Sequence, residues 1–126
     1  MKENFILIVE DDMVSCRLFY ELFTREMKHP FKIVHNGEEA IKLCRKKKNI
    51  RMVLLDYKLP GIDGYKTLME IKKIRHNLPV IIQTGCVFEG DRDAYLKYGF
   101  DDYICKPIDC KELSIIIDKY NHQSLN

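Results

Sequence analysis

The segment at residues 54–64, "LLDYKLPGIDG", stops an apolar run at a carboxylate, Asp56, and follows it with turn formers. Near the start of the chain, Glu10, Asp11 and Asp12 close the apolar run "FILIV" in the same way. A hydroxyl, Thr84, ends "VIIQT", and a cation, Lys106, ends "DYICK" just before Pro107. Alone, each has an ordinary reading; Asp56 by itself can cap a helix or form a turn. Together their chemistry is consistent. Several carboxylates gathered at one point repel unless a cation sits among them. Oxygen ligands with open positions suit Mg2+, which keeps waters and shares its site with phosphate. A lysine offers phosphate a point charge and a threonine offers a hydrogen bond. Asp56 would then be a carboxylate nucleophile toward a phosphoryl group, a transfer that depends mainly on positioning and charge neutralisation.

These four places meet only if the chain gathers them. Apolar runs at 5–9, 31–35, 52–56, 79–84 and 102–106 predict strands. Most are apolar at successive residues, as in strands covered on both faces. Helical stretches are predicted at 13–28, 37–47, 64–75, 89–98 and 109–121. Spacing turns Leu18, Phe19, Leu22 and Phe23 inward from the first, Ala40, Ile41 and Cys44 from the second, and Leu68, Met69, Ile71 and Ile74 from the third. Asn36, Asp63 and Asp109 read as N-caps and Gly99 as a left-handed helix stop. Five alternating strand–helix units predict an α/β fold with a doubly wound parallel sheet, and right-handed crossovers leave few topologies, of which the flavodoxin-like (βα)5 order 2-1-3-4-5 is one of the two common ones. In such sheets ligands bind beyond the carboxyl ends of the strands, where all four places lie.

Composition narrows the function classes. The 126 residues fit one domain, expected over 1–126 with its core at about 3–121. A formal charge of +2 is too small to argue for nucleic acid or a membrane surface. The run "RKKK" at 45–48 falls in the last turn of a predicted helix, where cations offset the helix dipole. The first apolar run is too short for a signal peptide or a membrane span. Five cysteines form no C-x-x-C pair, and Cys16, Cys44 and Cys105 lie in apolar segments where thiols pack as small hydrophobes. The four histidines lack ligand spacing. A reduced, cytoplasmic chain is expected, without membrane contact or direct nucleic-acid binding by this domain.

The motifs "ILIVEDD", "LLDYKLPGIDG", "VIIQTG" and "DDYICKPI", in this order and at these intervals, resemble the receiver domains of two-component response regulators over about residues 2–120. The resemblance implies that Asp56 is the phosphoacceptor in a Mg2+- (or Mn2+-) dependent reaction. Asp11 and Asp56 would bind the metal directly, Glu10 through water, and Lys58 through its backbone carbonyl. Thr84 and Lys106 would contact the phosphoryl group, and Pro107 would follow a cis peptide. Tyr103 would be the aromatic switch that follows Thr84, and Asp63-Gly64 the turn opening the third helix. Lys58 and Cys86 would tune phosphoryl lifetime, with Lys58 slowing its loss. The implied donor is a histidine kinase or histidine phosphotransfer domain. The implied output face, for an effector or a homodimer, is made by the fourth helix, fifth strand and fifth helix. The wording near the C-terminus is similar to receivers of hybrid sensor histidine kinases, so both a stand-alone and an excised receiver are open.

Two rival readings stand beside this one. An aspartate-nucleophile phosphatase of the haloacid-dehalogenase kind would carry a second aspartate two residues after the first, where this chain has Lys58. A degenerate receiver would bind partners without phosphorylation, which the complete acidic set disfavours.

Overall fold

Five strands, β1 (Phe5–Val9), β2 (Phe31–Val34), β3 (Ile50–Asp56), β4 (Val80–Thr84) and β5 (Asp102–Cys105), form one parallel sheet in the order β2-β1-β3-β4-β5. Helices α1 (Met13–Glu21), α2 (Gly37–Lys46), α3 (Gly64–Ile74), α4 (Asp91–Tyr98) and α5 (Cys110–Asn121) connect or follow them. This computed structural model describes residues 3–59, 61–85 and 91–121.

Alternate residues along each strand feed two cores. Leu7, Val9, Val53, Leu55, Val80 and Ile82 pack with Ala40, Ile41 and Cys44 of α2 and Leu68 and Ile71 of α3. Ile6, Ile8, Met52, Leu54, Ile81 and Ile104 pack with Phe19 of α1 and with Leu113, Ile116 and Ile117 of α5. Both sheet faces are thus covered, which is why the strands read as unbroken apolar runs.

The predicted caps form. Asn36 Oδ1 accepts from Glu39 N at 2.8 Å, Asp63 Oδ1 from Lys66 N at 2.9 Å and Asp109 Oδ2 from Glu112 N at 3.1 Å. Asp12 also caps, with Oδ2 accepting from Ser15 N at 2.9 Å. Each such bond satisfies an N–H that the helix cannot, worth about 1 kcal/mol. Gly99, at φ 111, ends α4 as expected.

Several boundaries differ. The helix predicted over 13–28 is α-helical only to Glu21 and continues as a π-helical turn, Leu22–Glu26, with Met27 N bonded to Leu22 O at 2.8 Å. Leu18 is 42% exposed and Met69 43%, so neither belongs to the core. Each lies one residue, about 100° of helix rotation, from the true inward residue, Phe19 or Leu68. Strand β3 starts at Ile50, two residues early, where Ile50 pairs with Phe5 of β1; Arg51 is half-buried and its Nη2 lies 2.9 Å from His29 Nδ1. Helix α4 is described from Asp91; residues 89–90 lie outside the described residues. Cys44 is buried, and burial pushes its thiol up to about 11, but Cys16 and Cys105 are only half-buried. Among the described residues no helix is long and apolar enough to cross a membrane.

Helix α5 is fastened to β5 through a buried carboxylate, Asp102. Its Oδ1 accepts from Tyr103 N at 2.9 Å, and its Oδ2 lies 3.1 Å from the Tyr120 hydroxyl and 3.3 Å from Lys119 Nζ. The same hydroxyl donates to Asp101 O at 2.8 Å. Tyr120→Phe should therefore cost about 1–2 kcal/mol of stability, read as a lower urea midpoint with an unchanged slope; an unaltered midpoint would show that α5 is held by its apolar face alone.

Candidate active site

Strand register builds the site. Val9 pairs with Leu55, so the next residues, Glu10 and Asp56, stand side by side where β1 and β3 end. Glu10 is wholly buried and Asp56 nearly so. The backbone of Glu10 is tied down on both sides: its N–H donates to Val34 O at 2.9 Å and its carbonyl accepts from Cys16 Sγ at 3.3 Å. Lys106, just past β5, lies across the two acids, with Nζ 2.9 Å from Glu10 Oε1 and 3.4 Å from Asp56 Oδ2. Its own N–H donates to Thr84 O at 2.7 Å, which fixes β5 against β4 at the rim. The peptide between Lys106 and Pro107 is cis.

The remaining carboxylate oxygens are also engaged. Asp12 N donates to Glu10 Oε2 at 3.2 Å and Lys58 N to Asp56 Oδ1 at 3.3 Å. Burial is the largest influence on Glu10 and, with Asp56 beside it, raises its pKa above the ordinary 4.5, although the Lys106 bond works the other way. Burial also works against the charge on Lys106, but the bond to Glu10 and the charges of both acids outweigh it and raise its pKa. Two crowded carboxylates and one shared cation leave negative charge at the rim.

The turn after Asp56 is tight. Gly64 N donates to Tyr57 O at 3.2 Å, and a Cβ on Gly64 would come within 3.0 Å of Tyr57 Cα and 3.1 Å of Asp56 O. Only a residue without a side chain lets α3 begin directly against the backbone of the acidic strand end.

Not every candidate joins the cluster. Asp11 is exposed, and no hydrogen bond or ion pair among the described residues ties it to the others. The Lys58 side chain is exposed. The Thr84 hydroxyl lies 3.3 Å from the Tyr95 hydroxyl. Tyr103 is half-buried and packs against the core under α2 and α3. Cys86 lies outside the described residues. Tyr95, which sequence reasoning passed over, rests its ring edge-on against Tyr57 at 6.1 Å and Phe100 at 6.2 Å. It thereby joins the residue after Asp56, the Thr84 hydroxyl and α4. The available signal was an aromatic among the polar residues of "DRDAYLKY".

Among the described residues no three His, Cys, Asp or Glu side chains form a closed metal cage. The donors instead suit a cation that takes one or two carboxylates and fills its other positions with water and phosphate, as Mg2+ does.

A doubly wound α/β sheet carrying a carboxylate pair, a lysine and a threonine on its carboxyl rim defines the class. Residues 6–118 match the response regulator receiver domain family. The chain belongs to that family and is a receiver domain of a two-component system. It is 36% identical over 110 residues to the transcriptional regulatory protein CpxR of Klebsiella pneumoniae, covering 87% of this chain and 46% of that protein. It is 29% identical over 116 residues to two-component system protein A of Emericella nidulans, covering 91% of this chain and 17% of that protein. The chain thus spans less than half the length of either relative. Among solved structures it is similar to the receiver domain of a sensor histidine kinase of Pseudomonas aeruginosa with a magnesium ion coordinated in the active site cleft. That likeness has a TM-score of 0.83 at 28% identity and covers 94% of this chain and 98% of that one.

Because its pKa is raised in the fold, Glu10 favours the folded state below its unfolded value near 4.5 and loses that contribution as pH rises through the folded value. Lys106→Met removes the main influence holding this pKa down. At neutral pH without divalent cation the variant should lose on the order of 2–3 kcal/mol, less than for a fully enclosed pair because Lys106 is partly exposed. The deficit relative to wild type should shrink as pH falls toward 4.5, and thermal midpoints that run parallel across this range would show that the pair is not coupled.

Proposed function

We infer that this receiver domain, with its core at about residues 3–121, is a phosphorylation switch in which Asp56 accepts a phosphoryl group from a phosphohistidine. The observation that carries the reading is the Lys106 ammonium, held 2.9 Å from Glu10 and 3.4 Å from Asp56 on the rim that also carries Thr84. Asp56 Oδ would form the new P–O bond as the P–N bond to the donor imidazole breaks, the electron pair returning to the nitrogen. Lys106 is already within reach of the acceptor and balances the incoming charge without rebuilding the site. A bound Mg2+, such as the one in the Pseudomonas relative, would neutralise charge on the phosphoryl oxygens. Asp11, Asp56 and the Lys58 carbonyl would hold it directly and Glu10 through water.

The same geometry supports a route outward. For its hydroxyl to reach a phosphoryl oxygen, Thr84 exchanges Tyr95 for the new group. Tyr95 belongs to α4, so the exchange loosens that helix against Tyr57 and Phe100, and Tyr103 follows on β5. The α4–β5–α5 face then serves as the output surface toward an effector or a second copy. On the donor side, Met13 and Val14 of α1 are each 77% exposed beside the acidic rim, an apolar landing for the helices of a kinase or phosphotransfer partner. The setting is cytoplasmic, and the protein acts as an acceptor with slow self-dephosphorylation.

Incubation of the chain with acetyl phosphate and Mg2+, followed by intact mass measurement, should give one phosphoryl adduct on wild type and none on Asp56→Asn or in the presence of EDTA. An adduct that survives Asp56→Asn would overturn the assignment. Lys58 stands two residues after the acceptor with an exposed side chain that would hold the phosphoryl group or obstruct water. Lys58→Ala should therefore shorten the adduct lifetime after donor removal, and a lifetime equal to or longer than wild type would dismiss this role.

A further inference from the structure

Gln83 takes no part in the chemistry above, yet it occupies the place in the sheet next to the acceptor. It is wholly buried in β4, and among the described residues neither Oε1 nor Nε2 has a hydrogen-bond partner. Among the described residues the other wholly buried polar side chains are satisfied: Glu10 accepts from Lys106 Nζ, and Thr67 donates to Asp63 O at 2.8 Å. An unpaired buried amide carries a desolvation penalty that an apolar residue would avoid. Ile81, two residues earlier on the same strand, shows what that residue would be.

Register fixes the direction of the side chain. Gln83 pairs with Asp56 on one side and with Ile104 on the other. Ile8, Leu54, Ile81 and Ile104 all face α1 and α5. By the alternation of strand residues, Glu10, Asp56 and Gln83 face the same way. Glu10, Asp56, Gln83 and Ile104 therefore form one row across the sheet, with the amide flanking Asp56 on the side away from Glu10. Neighbouring strands lie about 4.8 Å apart, which puts a glutamine side chain within reach of that carboxyl group.

We propose that Gln83 is a positioning residue for the phosphorylated state, its Nε2–H donating to the Asp56 carboxyl oxygen and hastening loss of the phosphoryl group. The proposal rests on Asp56 being the acceptor. In the resting fold the two oxygens of Asp56 are engaged by Lys58 N and Lys106 Nζ. Once Lys106 turns to the phosphoryl group, its place on the carboxyl is open to the amide. In hydrolysis a water oxygen forms the new P–O bond, the bond from phosphorus to Asp56 Oδ breaks, and its electron pair returns to the carboxylate. The proton released by water goes to the departing phosphate. A donor aimed at that carboxylate stabilises the charge as it develops. Gln83 and Lys58 would then act in opposite directions on the same lifetime.

The test uses the full chain with acetyl phosphate and Mg2+ as phosphoryl source, followed by donor removal and a time course of intact mass. Gln83→Met keeps the shape without the donor, and Gln83→Leu serves as a second apolar variant. Both should fold with raised thermal midpoints and should hold the adduct about fivefold longer, the effect of one neutral hydrogen bond. A raised midpoint with an unchanged or shorter lifetime would assign Gln83 a merely structural place and overturn the proposal. Failure of wild type itself to form the adduct is a different result: it overturns the acceptor reading, and the proposal with it.

Discussion

Lys106 joins two acids that reach it from the first and third strands, and its partner Glu10 lies 96 residues away in the chain. Placing a wholly buried carboxylate beside a second one costs several kcal/mol per ion unless a cation and hydrogen bonds take up the charge. Most of the local structure at the rim can be read as meeting that requirement. Val34 O and Cys16 Sγ hold the Glu10 backbone, Asp12 N takes one carboxylate oxygen, and Lys106 takes the other. Asp12 donates its N–H here while its side chain caps α1. The charge that remains unbalanced is what makes the rim suited to a divalent cation and a phosphoryl group.

The parallel sheet makes this arrangement possible. All five strands run the same way, so all five carboxyl ends lie along one edge, where residues from separate parts of the chain come together. The two cores beneath it keep the strands in register. A slip of one residue would turn Asp56 from the α1–α5 face toward α2 and α3 and separate it from Glu10. Rigidity at the rim contrasts with the Thr84–Tyr95 contact, a single pair of hydroxyls 3.3 Å apart. That contact, with the ring of Tyr95 set between Tyr57 and Phe100, is the direct physical link between the acid site and α4.

How far the molecule could be read in advance depended on how local each cause was. The caps at Asn36, Asp63 and Asp109 and the stop at Gly99 involve partners within a few residues, and each was legible. Alternation and the handedness of crossovers narrowed the strand order to few choices, and the motif resemblance favoured 2-1-3-4-5 among them. The π-helical turn after Glu21 and the early start of β3 were not legible; at these places Phe23 stacks on Phe31 of β2 and Ile50 pairs with Phe5, contacts between residues distant in sequence. Leu18 and Met69 show the same limit: helical spacing narrows the inward face to neighbouring residues, and the partner surface chooses between them.

The chain by itself determined the chemistry, because acid, hydroxyl and lysine stand at the ends of apolar runs whose periodicity makes them strands of a parallel sheet, and such strands must end on one edge. Tertiary structure alone decided who pairs with whom. Register sets Glu10, Asp56 and Gln83 in one row, and the span of β5 brings Lys106 onto the two acids. The fold of α4 gives the Thr84 hydroxyl to Tyr95. These pairings join residues far apart in sequence, so no local pattern encodes them.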